Sequence, residues 1–304
     1  MSVSPTSQSL PPVSSVGGKL VLLAQDIKIS HSVFALPWAL LATFLAADGW
    51  PRIGQIVLII LCMVTARTVA MASNRLLDAE LDAKNPRTAR RAIPSGALSR
   101  GFVTATLTLC AIAFVASTAG FGTMYDNWLP LMLSIPVLGF ISAYPLLKRF
   151  SQLCHYYLGV ALALAPVCAW IAIAGTLALA PVLMFITVLF WTAGFDIIYA
   201  CQDYDSDLET GVVSVPSRFG IPRALWISRA THGLCLGAMI LLGIQTPQLH
   251  GLYFAGVVCA AILLIVEHAI VKPGDLSKVG VAFFTVNGII SVAIGTLGIL
   301  DVFF

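Results

Sequence analysis

The sequence contains little charge. Of its 304 residues only 10% are Asp, Glu, Lys or Arg, whereas 59% are hydrophobic, and the mean hydropathy is +0.93. Soluble domains carry about 25% charged residues, so this shortage excludes an ordinary soluble globular protein. The net charge is only +3, and the basic residues form no stripe typical of nucleic-acid binding. The sequence therefore predicts a polytopic membrane protein that binds no nucleic acid.

The sequence also contains no CxxC cysteine pair and no segment with the features of a signal peptide. The seven cysteines form no CxxC pair and no Cys/His cluster with zinc spacing, and most of them lie inside apolar runs. Residues 1–17 hold no charged side chain and lack the basic region and continuous apolar run of a signal peptide. We expect residues 1–18 to form a disordered tail and residues 19–304 to form one transmembrane domain.

Nine apolar stretches approach the length of about 20 residues that a membrane-spanning helix requires. They lie at roughly 29–47, 53–73, 101–121, 129–147, 155–175, 180–200, 224–244, 251–270 and 279–303. If the N-terminus is cytoplasmic, all 17 Lys and Arg residues except Arg52 and Arg67 lie on the cytoplasmic side, as the positive-inside rule predicts. We predict an all-α, multi-pass protein of the bacterial inner-membrane type. Its N-terminus and two polar loops (74–100 and 201–223) would face the cytoplasm.

The first of these polar segments contains the run NRLLDAELDAKNPRT. Asn74, Asp78 and Asp82 recur every four residues, so a helix would place them on one face. Their oxygens would repel each other unless a cation lies between them, and Mg²⁺ commonly takes one or two carboxylates together with substrate phosphates. Arg87 and Arg91 follow and would bind phosphate oxygens. The segment predicts a site for a diphosphate–metal complex.

A second segment, FDIIYACQDYDSD, has the same character. Asp196, Asp203 and Asp207 are spaced by seven and four residues, again one helical face. Seven of the chain's 14 acidic residues fall within 78–82 and 203–209, which favours a functional role over two solvated loops. Metal held by these carboxylates would neutralise the leaving charge of a diphosphate. Because the site adjoins the membrane, its substrate should be lipid-soluble and occupy an apolar groove between helices.

Arg67 precedes Asn74 by seven residues and lies deeper on the same predicted face. A charged group inside the membrane is expensive, so we predict that Arg67 binds a phosphate or carboxylate of a substrate. The alternative is a structural ion pair with an acid such as Asp196. Tyr144 and Tyr199 are candidates to shield an allylic cation through cation–π contact.

Together these motifs resemble the UbiA superfamily of intramembrane aromatic prenyltransferases. The first family signature, NxxxDxxxD followed by RTxxRxxPSG, reads NRLLDAELD and then RTARRAIPSG in this chain. The second, DxxYAxxDxxxD, reads DIIYACQDYDSD, and a third, YPxxKR, reads YPLLKR at residues 144–149. The resemblance extends from about residue 20 to the end of the chain.

The resemblance implies nine helices around a central cavity, Mg²⁺ as cofactor and a polyprenyl diphosphate donor. It implies that the metal ligands are Asn74, Asp78, Asp82, Asp203 and Asp207. The predicted catalytic residues are Asp78, Lys148, Arg149, Asp196 and Asp203. The predicted substrate-binding residues are Arg67, Asn74, Arg87, Arg91, Tyr144, Lys148, Arg149 and Tyr199. The predicted partners are the two substrates and membrane lipid, and we expect no obligate protein partner.

The acceptor implied by the resemblance is an aromatic carboxylic acid. The overall pattern looks closest to 4-hydroxybenzoate polyprenyltransferases of ubiquinone synthesis. However, CHYYLG at residues 154–159 departs from a PQxxLG-like run, and ARRAIP replaces NRPLP, which looks more like the futalosine-pathway enzymes of menaquinone synthesis. Their acceptor is a dihydroxynaphthoate-type acid. Lys28, His31 or Arg67 would hold the carboxylate of either acceptor.

Two other classes of protein fit the sequence less well. A transporter also has many helices and buried charges, but it does not require two metal-type acidic faces on one side of the membrane. A lipid phosphotransferase of the CDP-alcohol type requires a DGxxAR element, which the sequence lacks. A prenyltransferase acting on another acceptor, such as haem or chlorophyllide, fits better than either class.

Overall fold

The chain folds into an all-α bundle. The computed structural model describes residues 15–304, except for the side chains of residues 29–31. No β-strand occurs in this part of the chain, and eight of its helices are long and apolar enough to cross a membrane. In chain order the helices are α1 (Val16–Asp26), α2 (Leu36–Ala47), α3 (Ile53–Lys84), α4 (Arg100–Tyr125), α5 (Leu129–Leu147), α6 (Cys154–Ala174), α7 (Leu179–Ala200), α8 (Tyr204–Thr210), α9 (Val215–Phe219), α10 (Ile221–Gln245), α11 (Gly251–Ile270) and α12 (Val279–Asp301). The prediction of a polytopic all-α protein is confirmed.

The first predicted span differs from the other eight. Residues 29–47 form a 3₁₀ turn, Ile29–Phe34, followed by the 12-residue helix α2. Twelve residues rise only about 18 Å, which is less than the roughly 30 Å hydrocarbon core of a bilayer. Pro37 lies in the first turn of α2, where its missing N–H and fixed φ favour a helix start. The described residues thus contain eight long spans and one short buried helix instead of nine equal spans.

The N-terminal boundary also differs slightly from the prediction. Residues 1–14 lie outside the described part, so the predicted tail is described only at its end. Helix α1 begins at Val16, before the expected domain start at residue 19, and the hydroxyl of Ser15 accepts a hydrogen bond from Gly18 N–H at 3.1 Å. This N-cap satisfies one of the free donors of the first turn.

Helix α3 continues well beyond the predicted span of 53–73 and carries the first acidic motif on its last turns. It ends at Lys84 because Asn85 precedes Pro86 and takes an extended conformation, with φ −89° and ψ 119°. After α7 a 3₁₀ turn, Cys201–Asp203, leads into α8, which ends at Gly211 with φ 74°. Both acidic motifs are therefore held on helical backbone at the same end of the bundle.

Close packing of α6 against α7 brings the second motif toward the first. A Cβ at Gly159 would collide with the carbonyl oxygen of Leu189, so only glycine permits this approach. Deeper in the bundle, Trp191 Nε1 donates to Asn287 Oδ1 at 2.7 Å, and Asn287 Nδ2 donates to Glu267 Oε1 at 2.9 Å. These buried hydrogen bonds join α7, α11 and α12.

Candidate active site

A polar cavity opens where α3, α5, α6 and α7 meet. It is the region to which the sequence analysis assigned the chemistry, and Arg149 alone among the predicted site residues is not part of its lining. The predicted residues in the lining are Arg67, Asn74, Asp78, Asp82, Arg87, Arg91, Tyr144, Lys148, Asp196, Tyr199, Asp203 and Asp207. The fold therefore unites two motifs that are more than 100 residues apart in the chain.

Asp78 is the most buried carboxylate of the cavity, with 0% exposure. Its Oδ2 accepts hydrogen bonds from Lys148 Nζ at 2.6 Å and from Asn74 Nδ2 at 2.7 Å. Its Oδ1 is buried and has no hydrogen-bond partner among the described residues. A buried acceptor left unpaired costs about 1–3 kcal/mol, so Asp78 Oδ1 is an oxygen that a bound cation would satisfy.

Arg87 connects the two acidic motifs. It follows the first motif, yet its Nε and Nη2 donate to Asp203 Oδ1 and Oδ2 at 2.8 and 2.6 Å, and its Nη1 donates to the hydroxyl of Tyr199 at 3.0 Å. Burial disfavours the charged guanidinium, but the hydrogen bonds and negative charge of Asp203 outweigh burial and raise the pKa of Arg87 above its ordinary value. The Asn85 amide also donates to Asp203 Oδ1, at 2.8 Å. This fork holds the two helix ends together across the cavity.

The other acidic side chains are also paired. Arg91 Nη1 lies 2.8 Å from both oxygens of Asp82. The hydroxyl of Ser214 donates to Asp207 Oδ2 at 2.8 Å. These contacts neutralise or hydrogen-bond carboxylates that would otherwise repel one another around the cavity.

Asp196 has a partner that the sequence analysis missed. His155 Nδ1 lies 2.7 Å from Asp196 Oδ2. The only signal in the sequence was the departure of CHYYLG from the related pattern, and that departure did not identify the contact. Proximity of residues 155 and 196 depends on the packing of α6 against α7.

Arg67 lies deeper in the bundle, as its position seven residues before Asn74 predicted. Its Nη2 donates to the carbonyl oxygen of Lys28 at 3.2 Å, and its Nε is buried without a hydrogen-bond partner in the described part of the chain. The alternative ion pair with Asp196 is not formed, since the carboxylate of Asp196 contacts His155. Arg67 is thus available to bind an anionic substrate group.

Three residues with predicted or suggested binding roles need separate mention. Arg149 is exposed and donates to the carbonyl oxygen of Leu77 at 2.7 Å, so it supports α3 from outside the cavity instead of lining a diphosphate site. The pKa of Lys28 is lowered by burial and by the nearby positive charge of Arg87. The side chain of His31 lies outside the described residues.

An apolar cavity continues from the polar one. The two share lining residues at their junction, including Arg67, Met71 and Tyr144. The rest of the apolar lining comes mainly from α3, α4, α5 and α6 and includes Ile59, Phe114, Phe121, Leu133, Val137 and Ala165. A molecule with an anionic head and a long hydrocarbon tail fits this combination of a charged mouth and an apolar tunnel.

An aromatic wall stands beside the acidic groups. The Tyr199 ring lies 4.2 Å from Phe283 by ring centroids. Phe283 belongs to a π-helical turn of α12, Ala282–Val286, and Asn287 Nδ2 donates to the Ala282 carbonyl oxygen at 3.0 Å. Such turns often occur at functional sites, and here the turn places an aromatic face at the cavity.

The donor groups fit a divalent metal bound together with a diphosphate. No three His, Cys, Asp or Glu side chains converge on one point among residues 15–28 and 32–304, so this part of the chain has no preformed metal cage. Mg²⁺ usually takes one or two protein carboxylates and completes its shell with phosphate oxygens and water. The buried Asp78 Oδ1 and the oxygens of Asn74, Asp82, Asp203 and Asp207 are suitable hard ligands.

Comparison with known proteins agrees with this geometry. Residues 35–289 match the UbiA prenyltransferase family. The chain is 32% identical over 250 residues to a 4-hydroxybenzoate octaprenyltransferase of Photobacterium profundum, covering 82% of this chain and 84% of the relative. It is also 32% identical over 260 residues to the protein of that name in Aliivibrio fischeri (strain ATCC 700601 / ES114), covering 84% and 88%.

Solved structures share the architecture. The apo structure of a UbiA homolog from Aeropyrum pernix K1 superposes with a TM-score of 0.80 at 29% identity, covering 90% of this chain and 98% of that one. A UbiA homolog from Archaeoglobus fulgidus bound to GPP and Mg²⁺ has the same fold, with a TM-score of 0.70 at 17% identity and coverage of 93% and 100%. An acidic mouth above an apolar tunnel in this fold defines an intramembrane prenyltransferase. The chain belongs to the UbiA prenyltransferase family, which confirms the resemblance noted in its motifs.

Proposed function

We propose that this protein transfers a polyprenyl group from polyprenyl diphosphate to 4-hydroxybenzoate or a closely related aromatic acid, with Mg²⁺ as the metal, in respiratory quinone synthesis. The observation that carries the proposal is the continuity of the acidic mouth with the apolar tunnel. The names of the relatives from Photobacterium profundum and Aliivibrio fischeri support the acceptor.

The donor would bind with its diphosphate at the mouth and its isoprenoid chain in the tunnel. Asn74, Asp78, Asp82, Asp203 and Asp207 would hold the metal, which supplies charge neutralisation for the departing diphosphate. Arg87 and Lys148 would add hydrogen bonds to the diphosphate oxygens. The tunnel wall would exclude water from the allylic carbon, so that it reacts with the aromatic acceptor instead of being hydrolysed.

The bond changes follow from this placement. The C–O bond between the allylic carbon and diphosphate breaks, and both bonding electrons leave with the diphosphate. The allylic carbon, now electron-poor, lies near the faces of Tyr199 and Phe283, which stabilise positive charge. A ring carbon of the acceptor then forms the new C–C bond, and its proton passes to the departed diphosphate, which restores aromaticity. Asp196 would accept the hydrogen bond of the acceptor hydroxyl and increase the electron density of the ring.

Arg67 would bind the carboxylate of the acceptor. Its Nε is buried at the junction of the two cavities and has no hydrogen-bond partner among the described residues, and a guanidinium binds a carboxylate with paired hydrogen bonds. An acid anchored there would keep its aromatic ring between the tunnel and the acidic mouth. The dihydroxynaphthoate acceptor is the second candidate, because CHYYLG at residues 154–159 and ARRAIP at residues 89–94 depart from the pattern of the benzoate enzymes.

The acceptor is tested with purified protein, Mg²⁺ and a long polyprenyl diphosphate, offered 4-hydroxybenzoate or a dihydroxynaphthoate acid in parallel. Prenylated benzoate is the expected product, and product from the naphthoate alone would move the enzyme to menaquinone synthesis. Arg67→Leu should raise KM for the acid at least tenfold. The KM for the corresponding phenol, which has no carboxylate, should change little. Equal effects on both acceptors would contradict the role of Arg67.

The orientation of the site is also part of the proposal. The mouth is formed by the ends of helices that carry most of the Lys and Arg residues, and such ends face the cytoplasm under the positive-inside rule. Cysteine accessibility labelling of an added residue near Ser15, in intact cells and in inverted vesicles, tests this placement. Labelling only in inverted vesicles is expected.

A further inference from the structure

His155 is buried at the start of α6, with 3% exposure, and contacts two other elements. Its Nδ1 lies 2.7 Å from Asp196 Oδ2 on α7. Its Nε2 accepts a hydrogen bond from the backbone N–H of Val215, the first residue of α9, at 3.2 Å. A single imidazole thus joins the carboxylate assigned to the acceptor with the segment that follows the second acidic motif.

The contact with Val215 fixes the position of the ring proton. A backbone N–H can only donate, so Nε2 must present its lone pair. In the neutral ring the one N–H then lies on Nδ1 and points at Asp196. The hydrogen bond from Nδ1 to the carboxylate is charge-assisted. Because Nε2 is engaged by Val215, His155 does not pass a proton onward through that nitrogen.

His155 orients Oδ2 of Asp196, and the other carboxylate oxygen is left to face the cavity. The Asp196 side chain is 22% exposed and belongs to the cavity lining. We propose that His155 is a positioning residue that holds the Asp196 carboxylate toward the hydroxyl group of the aromatic acceptor. This proposal rests on the proposed function and adds a residue that neither of the acidic motifs contains.

If His155 had only a structural role, its loss would affect different groups of the site. Val215 follows Ser214, whose hydroxyl donates to Asp207 Oδ2 at 2.8 Å. If His155 only anchored this segment, its loss would disturb Asp207 and weaken donor binding. If it positions Asp196, its loss should impair use of the acceptor and leave the KM for the donor nearly unchanged.

Two variants separate the two contacts. In His155→Asn the amide nitrogen occupies the place of Nδ1 and can still donate to Asp196. The ring nitrogen that accepts the hydrogen bond of the Val215 N–H is lost. His155→Leu removes both contacts. We expect His155→Leu to lower kcat/KM for the acceptor about tenfold to hundredfold, the factor expected for a hydrogen bond to a charged group. His155→Asn should recover most of that loss, and the KM for the donor should stay within about twofold in both variants.

A double-mutant cycle completes the kinetic test. His155→Leu should cause no further loss in an Asp196→Asn background, because the effect of His155 passes through that carboxylate. Equal losses in His155→Asn and His155→Leu would overturn the proposal. Losses that add in the double variant would also overturn it.

A spectroscopic measurement keeps the proposal testable whatever the acceptor is. The ¹⁵N resonances of histidine-labelled protein, assigned to His155 by their absence in His155→Asn, report which ring nitrogen is protonated. A neutral Nδ1–H ring is expected, and an Nε2–H or doubly protonated ring would overturn the proposal. A wild-type protein that prenylates neither acid would contradict the proposed function, whereas the ring tautomer would still decide the role of His155.

Discussion

Replacement of Asp78 by Asn removes one charge from a carboxylate with 0% exposure while hardly changing its size. The variant leaves Lys148 Nζ without the anionic oxygen that lies 2.6 Å away. Breaking a fully buried ion pair costs about 3–5 kcal/mol. The Lys148 side chain is 27% exposed and can regain water, so we expect a smaller loss of stability, about 1–2 kcal/mol. A loss of that size leaves a protein of ordinary stability folded.

The expected loss of activity is larger than the loss of stability. Opposite unit charges about 4 Å apart interact by about 4 kcal/mol at the effective dielectric constant of a protein surface. If the carboxylate of Asp78 binds the metal in the transition state, its loss should lower kcat by about a thousandfold. Transfer is measured by mass spectrometry of the prenylated acid, and thermal unfolding is measured in the same detergent.

Glu80→Gln is the matched control for this variant. Glu80 lies two residues further along α3, but its side chain is 88% exposed and its closest cation, Arg100, is 3.7 Å away. The control removes the same charge from the same helix and should retain full activity. An Asp78→Asn protein that works within threefold of wild type would refute the assignment of Asp78 to the metal–diphosphate complex.

Three further predictions concern the mouth and the tunnel. Arg87→Met should raise the donor KM about tenfold, by the same factor at pH 7 and pH 9. Because the pKa of Arg87 is raised above its ordinary value, its guanidinium stays charged at both pH values. A KM ratio between variant and wild type that falls from pH 7 to pH 9 would contradict this. Lys28 has a lowered pKa, so it should be acylated faster at pH 8 than the other lysines, as mapped by mass spectrometry; reaction at their rate would contradict the lowering. Ala165 lines the apolar cavity, so Ala165→Phe should narrow it and raise KM for a long polyprenyl diphosphate more than tenfold while leaving KM for a short one nearly unchanged. Equal effects on both donors would refute a tunnel for the tail.

Periodicity alone predicted the first acidic face, whereas the residues of the second are divided among α7, a 3₁₀ turn and α8. Asn74, Asp78 and Asp82 recur every four residues, and the structure places all three on the last turns of α3, in the lining of one cavity. Helical geometry is local, so residue spacing is sufficient to predict a shared face. The lengths of the apolar runs predicted the spans for the same reason, except for the first, where residues 29–34 form a 3₁₀ turn and only the short helix α2 follows.

The partners of the carboxylates could not be predicted from sequence. Lys148 binds Asp78, and Arg87 binds Asp203, but each pair joins segments that are far apart in the chain. Which helix ends meet depends on close approaches such as the one at Gly159. His155 shows the limit most clearly, because a lone histidine in an apolar helix gives no sign of the aspartate that it contacts.

Arg149 lies outside the cavity that the other predicted site residues line. The resemblance implied that Arg149 and its neighbour Lys148 contact the diphosphate or orient the acceptor, since both belong to the YPxxKR motif. Adjacent residues at a helix end point in different directions, and only Lys148 lies in the cavity lining. The guanidinium of Arg149 instead binds the backbone of α3 at Leu77. A motif match therefore predicts the position of a residue better than the direction of its side chain.

The proposed function requires that the two acidic helix ends together bind a metal–diphosphate complex whose hydrocarbon tail enters the tunnel. The most direct test is a Mg²⁺ titration of prenyl transfer by purified wild-type protein, beside Asp203→Asn and the matched control Asp205→Asn, which changes an exposed acid two residues away. Saturable Mg²⁺-dependent transfer is predicted for wild type and for the control, and transfer near background is predicted for Asp203→Asn. Equal transfer by all three proteins, or full transfer by wild type in excess chelator, would contradict the claim.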